Sequence, residues 1–369
     1  MKRILFVFGT RPEAIKLAPV IHACYQLDKL DVGVCLSGQH KEMVSQVMDF
    51  FQLKADYTLD LMKPDQTLFD ITANGLRLIE NVLNEFKPDL VVVQGDTTTA
   101  FVAALAAFYK KIKLAHVEAG LRSFDKYSPF PEELNRKMTS SIADFHFAPT
   151  QKAVDNLHNE NIHSNVFLTG NTVIDALLWA VNKVRDNSSF QKAFTYLDPD
   201  KKSILITGHR RESFGKPFEN ICNAIILLAE KYPEVQFVYP VHLNPNVQKI
   251  VHEKLAGHKN IFLIAPLDYP HLVWLMDKSY LVITDSGGIQ EEAPSLGKPV
   301  LVIRDVTERQ EGIDAGTAVL VGTSVEKITA EATRLMEDKV IYDTMSRAVN
   351  PYGDGNSAKM VADIILKNL

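Results

Sequence analysis

Residues 4–8, Ile-Leu-Phe-Val-Phe, are apolar at every position, and the run stops at Gly9-Thr10-Arg11-Pro12-Glu13-Ala14-Ile15-Lys16, a glycine followed by a charged helix start. A strand without polar alternation is buried on both faces, which places it inside a parallel sheet covered by helices. The loop leaving such a strand lies at the sheet's carboxyl edge, where open α/β folds bind ligands. Arg11 and Lys16 bring positive charge to that edge, which suits an anion such as phosphate. The second half repeats the device at Ser203-Ile204-Leu205-Ile206-Thr207-Gly208-His209-Arg210-Arg211-Glu212. The pattern predicts two similar halves facing each other across a charged cleft.

Apolar runs alternate with helix-length segments along the whole chain, the signature of a doubly wound α/β architecture. Strands are predicted at 4–8, 32–36, 90–93, 114–117, 145–148 and 166–168, then at 204–207, 236–241, 261–264, 281–284 and 299–303. Helices are predicted at 68–86, 97–109 and 218–231. The polar stretch 185–202 is the best linker, dividing the 369 residues into domains over 1–185 and 190–350. A turn cluster, Asn350-Pro351-Tyr352-Gly353-Asp354-Gly355-Asn356, precedes a final helix over 357–367.

Composition removes several classes. With a net charge of −5 the chain has no basic field for nucleic acid or an anionic membrane surface. Cys24, Cys35 and Cys222 form no CxxC pair, so neither a disulfide framework nor a metal cluster is expected, and each reads as a small buried hydrophobe. No stretch reaches the roughly 18 apolar residues of a membrane span. The opening Met1-Lys2-Arg3 precedes too short an apolar run for a signal peptide, so a cytoplasmic location is expected. Neither half carries G-x-G-x-x-G after its first strand, which argues against a dissociable nicotinamide cofactor.

Five segments carry candidate chemistry. In Asp285-Ser286-Gly287-Gly288-Ile289-Gln290-Glu291-Glu292, Ser286 can cap a helix and the glycines let a ligand approach the backbone. Amides and helix dipole there favour a diphosphate, with Glu292 placed for a ribose diol; the plainer alternative is a capped turn with nothing bound. Gly95-Asp96 and His116-Val117-Glu118 each close a strand, and if those strands are neighbours the two carboxylates emerge together. Paired carboxylates push one another's pKa values apart, giving one site an acid and a base. The alternative makes Asp96 a helix N-cap and Glu118 a partner for Arg122. Tyr127-Ser128-Pro129-Phe130-Pro131-Glu132-Glu133 is a rigid aromatic loop running into a helix, where carboxylates also complement the dipole. Gly208-His209-Arg210-Arg211 resembles an anion clamp. His242, Arg304 and Arg309 follow further strands, and Gln39 and Gln66 can contact hydroxyls.

Together these segments resemble the non-hydrolysing UDP-N-acetylglucosamine 2-epimerases of bacteria. The resemblance rests on GTRPEAIK from Gly9, GDTTT from Gly95, HVEAGLR from His116, PEE from Pro131, GHRRESFG from Gly208, VHLNPNV from Val241, TDSGGIQEEAPSLGKPV from Thr284 and NPYGDG from Asn350. It implies two Rossmann-like domains of glycosyltransferase-B type holding a UDP-sugar in the cleft, with the last helix (355–369) crossing back to the first domain. It also implies a homodimer that interconverts UDP-GlcNAc and UDP-ManNAc without cofactor or metal, supplying ManNAc for cell-envelope polysaccharide. The implied route expels UDP to leave a 2-acetamidoglucal, then re-adds it. By the same resemblance Asp96, Glu118, Glu132 and His209 are catalytic. Arg11, Lys16, His209, Ser286, Gly287, Gly288 and Arg309 hold the diphosphate, and Glu292 the ribose. Leu272 lies near the uracil, where relatives often place phenylalanine. A second, activating UDP-GlcNAc is assigned to Gln39, Gln66, Glu133, Arg211 and His242. The chain departs from the pattern at Gln94, Leu267, Leu272 and Gln310. The rival readings are a hydrolysing 2-epimerase, a glycosyltransferase on the same fold, and a non-catalytic nucleotide-sugar sensor.

Overall fold

In this computed structural model, residues 1–39, 41–61, 66–208, 210 and 214–369 are described. Strand β1 (Lys2–Phe8) begins in water at Lys2 and Arg3 and is fully buried from Ile4 onward. It sits inside a sheet with β2 (Leu30–Leu36), β3 (Tyr57–Thr58), β4 (Leu90–Gln94), β5 (Lys113–Val117), β6 (Phe145–Ala148) and β7 (Val166–Leu168). Their order is β3-β2-β1-β4-β5-β6-β7, and every pairing is parallel. A second parallel sheet follows the same plan. It contains β8 (Ser203–Thr207), β9 (Gln236–Pro240), β10 (Ile261–Ile264), β11 (Leu281–Thr284), β12 (Val300–Val302) and β13 (Ala318–Leu320), ordered β10-β9-β8-β11-β12-β13. Two doubly wound parallel-sheet α/β units are therefore present, the class expected from the alternation. In each, strand order reverses beside the first strand, between β1 and β4 and between β8 and β11, which is where such folds bind ligands.

The two strands missing from the sequence-based assignment, β3 and β13, are edge strands of two and three residues. Tyr57–Thr58 is too short to leave an apolar run, and Ala318–Leu320, although apolar, is only three residues long.

The first core is closed by helix Thr98–Tyr109, whose Ala100, Val102, Ala103, Ala104, Ala106 and Ala107 are all buried. Small side chains let it lie close to helix Leu68–Phe86, and a Cβ at Gly75 of that helix would come within 3.1 Å of Val102 Cγ1. The second core packs helix Lys216–Lys231, through Phe218, Ile221, Ile225 and Leu228, beneath the inner strands. The three cysteines are free and buried as expected, each thiol pushed up to about 12 by burial.

By compactness the chain divides into residues 1–176 with 352–369, and residues 177–351. The division falls inside helix Thr172–Val184. The last helix, Ser357–Asn368, belongs to the first unit, packing against helix Arg11–Tyr25 and burying Val361, Ala362 and Ile365. The polar stretch 185–202 carries a short helix, Ser188–Ala193, and lays Phe194 on Trp274 of the second unit with ring centroids 4.8 Å apart. No described helix is long and apolar enough to cross a membrane.

Candidate active site

In the first unit the pairing of Gln94 with Val117 puts β4 and β5 side by side, so the turns after them leave the sheet together. Gly95 turns with φ +71, a conformation that suits glycine, and its amide donates to the Val117 carbonyl at 3.0 Å. His116 lies beneath this turn, fully buried, and donates from Nε2 to the Gly95 carbonyl at 2.8 Å. Its Nδ1 faces Ser140 Oγ at 3.3 Å. Burial pushes His116 down from 6.5 to about 3, so the ring is neutral at physiological pH.

Asp96 forms an ion pair with Arg136, which also reaches Glu133 at 3.2 Å, while Asn135 Nδ2 donates to the Asp96 carbonyl at 3.0 Å. Helix Glu132–Ile142 is thereby moored to the Asp96 turn, with Glu132 half-buried in its first turn. Glu133 is sealed from solvent and accepts from the Ser123 and Phe124 amides at 3.0 and 3.2 Å, which fixes the base of the aromatic loop. The tip of that loop presents Phe124, Tyr127 and Phe130 to solvent.

Glu118 sits at φ +63, an uncommon conformation for a side chain with a Cβ and one that costs about 1 kcal/mol. Among the groups that hold it there are Lys16, in an ion pair, the Gln94 side-chain amide, and Asn171 Nδ2 at 3.0 Å. The carboxylate is nearly buried, and removing its cation from such a site costs about 3–5 kcal/mol. Asn171 in turn donates its backbone N–H to the Tyr352 carbonyl at 2.7 Å, which gives the NPYGDG segment a role in orienting Glu118. The glycine turn after β1 is joined to the same edge by the buried Glu13. It accepts from the Gly9 and Thr10 amides at 3.1 and 2.8 Å and from Thr97 Oγ1 at 2.7 Å, and burial raises its pKa. Arg11 starts the following helix, and among the described residues its guanidinium has no ion-pair partner.

In the second unit Thr207 and Thr284 share a 2.6 Å hydrogen bond across the switch point. Asp285 accepts from the Arg210 amide at 2.8 Å, and Tyr239 Oη donates to the Gly208 carbonyl at 2.7 Å. Helix Gly287–Glu292 follows at once. A Cβ on Gly287 would lie 2.9 Å from Arg309 Cζ, so the guanidinium rests on the bare backbone of the glycine turn. Arg309 Nε donates to Glu291 at 2.9 Å, and Tyr269 Oη donates to Glu292 at 3.0 Å. Leu272 lies on helix Tyr269–Lys278, one turn after Tyr269. Arg304 is buried and pairs with Glu308, which is held down to about 2 against the opposing cost of its burial.

Several sequence-based assignments need correction. The cap of helix Thr98–Tyr109 is Thr97, whose side chain accepts from the Ala100 amide, so the alternative that Asp96 is an N-cap fails. Arg122 makes a two-pronged pair with Glu160 at 2.9 and 2.7 Å, so it does not partner Glu118. Ser286 occupies the N-cap position of its helix without a side-chain cap bond. His242 accepts from the Asn244 amide at 3.1 Å, and Gln39 accepts from Thr99 Oγ1 at 3.2 Å. Gln66 lies just before helix Leu68–Phe86. His209 and Arg211 lie outside the described residues. Sequence reasoning gave no site role to Arg136, Asn171 or Gln94, all of which touch the carboxylates. Arg136, one turn beyond Glu132, was the one with a local signal. Among the described residues no group of three or more His, Cys, Asp or Glu side chains is arranged to hold a metal.

Comparison with known proteins gives a consistent result. Residues 22–366 match the family described as UDP-N-acetylglucosamine 2-epimerase. The chain is 53% identical over 364 residues to UDP-N-acetylglucosamine 2-epimerase of Yersinia pestis, covering 97% of both chains. It is 51% identical over 371 residues to the enzyme of that name from Escherichia coli K12, covering 99% of both. The crystal structure of UDP-GlcNAc 2-epimerase from Neisseria meningitidis bound to UDP-GlcNAc aligns with a TM-score of 0.92 at 49% identity, over 99% of this chain and 100% of that one.

Proposed function

The chain belongs to the UDP-N-acetylglucosamine 2-epimerase family, and we propose that it inverts C2 of UDP-GlcNAc by expelling UDP and taking it back. The C2 proton lies beside an acetamido group and is barely acidic, so its removal needs a coupled event. Breaking the C1–O bond supplies one. A carboxylate takes the proton from C2, the C–H electron pair forms the C1–C2 double bond, and the C1–O pair leaves with UDP. The 2-acetamidoglucal is then protonated at C2 on the other face while UDP returns to C1, giving UDP-ManNAc.

The supporting observation is the pair of carboxylates at adjacent strand ends, Asp96 and Glu118, each paired with a cation, Glu118 also accepting from the side-chain amides of Gln94 and Asn171. With Glu132 they supply acid and base groups. Lys16 and Arg136, each paired with one of these carboxylates, can stabilise the departing phosphate. Arg11, the Ser286–Gly288 backbone and Arg309 retain the UDP dianion, with Glu292 on the ribose, Leu272 by the uracil and His209 as a further phosphate donor. A homodimer, an activating second UDP-GlcNAc at Gln39, Gln66, Arg211 and His242, and action in the cytoplasm upstream of envelope polysaccharide complete the reading; Glu133, also assigned to that second ligand by the resemblance, is sealed from solvent and supports the aromatic loop instead.

The test is NMR of UDP-GlcNAc with the enzyme in heavy water. UDP-ManNAc carrying deuterium at C2 is expected, and Asp96→Asn or Glu118→Gln should abolish exchange while UDP still binds. Free ManNAc would indicate the hydrolysing reaction, and binding without turnover a sensor.

A further inference from the structure

A cavity of about 760 Å³ opens in the second unit at the edge opposite the glycine turns. Its wall includes Ser203, the first residue of β8, and Lys278, the last residue of the helix that precedes β11. Both mark the amino ends of parallel strands, whereas Gly208 and Asp285 mark the carboxyl ends. The volume falls within the range of small-ligand pockets, and the floor is apolar, formed by Trp274 and the Phe194 ring stacked on it.

Charge selects the ligand. Behind the cavity Asp277 is nearly buried and is shared by Arg185, at 2.6 and 3.0 Å, and by Lys278 at 3.9 Å. Lys298 lies close to the same three groups, and burial lowers its pKa. Three cations thus face one carboxylate. At the mouth Lys192 and Lys201 balance Asp186 and Asp198, and among the described residues neither lysine has an ion-pair partner. One Asp198 oxygen already accepts from the Asp200 amide at 3.1 Å. The surplus is positive.

We propose that this cavity binds a small organic anion, a phosphate or carboxylate carried on a ring or apolar body, and that its occupancy tunes nucleotide affinity at the opposite edge. The ring would lie over Trp274 and the anion would meet Arg185, Lys192, Lys201 and Lys278. A single rigid element joins the two ends. Helix Tyr269–Lys278 lines the cavity with Trp274 and Lys278, while its first residue, Tyr269, orients Glu292. The binding stands independently of the assignment of Glu292 to the ribose; the coupling rests on it.

The chain has two tryptophans, Trp179 and Trp274, so the Trp179→Phe protein reports on the cavity alone. Titration with 1-naphthyl phosphate should quench Trp274 saturably, and the Lys192→Glu/Lys201→Glu double variant should weaken binding about ten-fold while leaving epimerisation unchanged. The uncharged 1-naphthol should bind more weakly than the phosphate ester. Saturating UDP should leave the probe bound, and the probe should change UDP affinity at least about five-fold, with the reciprocal shift in its own affinity. Absence of saturable quenching, or equal binding to the charge-reversed variant, overturns the site. Displacement of the probe by UDP overturns its separateness, and unchanged UDP affinity overturns the coupling. UDP titration without the probe checks nucleotide binding separately.

Discussion

Acid should destabilise this protein through His116 in a way that one substitution removes. The ring titrates near 6.5 in the unfolded chain and near 3 in the folded one, because burial disfavours the imidazolium. Between those values the unfolded state binds an extra proton, so stability falls as pH drops below 6.5. The loss amounts to about 1.4 kcal/mol per pH unit, reaching about 2 kcal/mol at pH 5 and about 4 kcal/mol at pH 3. His116→Gln keeps an N–H for the Gly95 carbonyl and cannot titrate. The assay is urea unfolding of both proteins at pH 7 and pH 5. Any fixed packing cost of the substitution cancels in the pH difference, as does the contribution of His146, whose pKa is also lowered by burial. The variant should lose about 2 kcal/mol less than the parent between the two pH values. Equal losses would refute the claim that His116 is buried neutral beneath the Asp96 turn.

Three further substitutions probe the geometry. Gly120→Ala would place a Cβ 2.2 Å from the Ala153 carbonyl oxygen at φ +91, so destabilisation of at least about 3 kcal/mol is expected in thermal unfolding. Gly287→Ala meets only the movable end of Arg309, at 2.9 Å, so the fold should survive while calorimetry shows UDP affinity falling about ten-fold. Arg136→Gln leaves the sealed Glu133 and the Asp96 carboxylate without their shared cation. Turnover should drop at least about a hundred-fold, with KM for UDP-GlcNAc changing much less; an unchanged kcat would remove Arg136 from any role in positioning Asp96.

The sheets were legible because a doubly buried strand leaves a continuous apolar run, and β1, β4, β8 and β11 are all of that kind. The glycine turns were legible for a related reason, since a glycine after such a run marks the carboxyl edge. The partners of the carboxylates were not. Gln94, Arg136 and Asn171 lie 24, 40 and 53 residues from the carboxylates they serve, and spacing along the chain carries no trace of such contacts. The Asp96 cap misled locally, because aspartate and threonine both suit an N-cap. The hydroxyl of Thr97 takes the position because the turn at Gly95 brings that residue, with φ −64 and ψ 157, to the helix entrance. Register between neighbouring strands, invisible in one dimension, is what turned two separate motifs into a single acidic pair.

Helix Ser357–Asn368 buttresses the element that carries Arg11 and Lys16, yet residues 352–369 are translated only after the whole of 177–351. A nascent chain at residue 176 therefore exposes the apolar back of helix Arg11–Tyr25, and its first lobe stays unsealed while the second is being made. The cover over helix Arg11–Tyr25 therefore arrives late in synthesis, and a premature stop after Pro351 would leave that apolar face open to water.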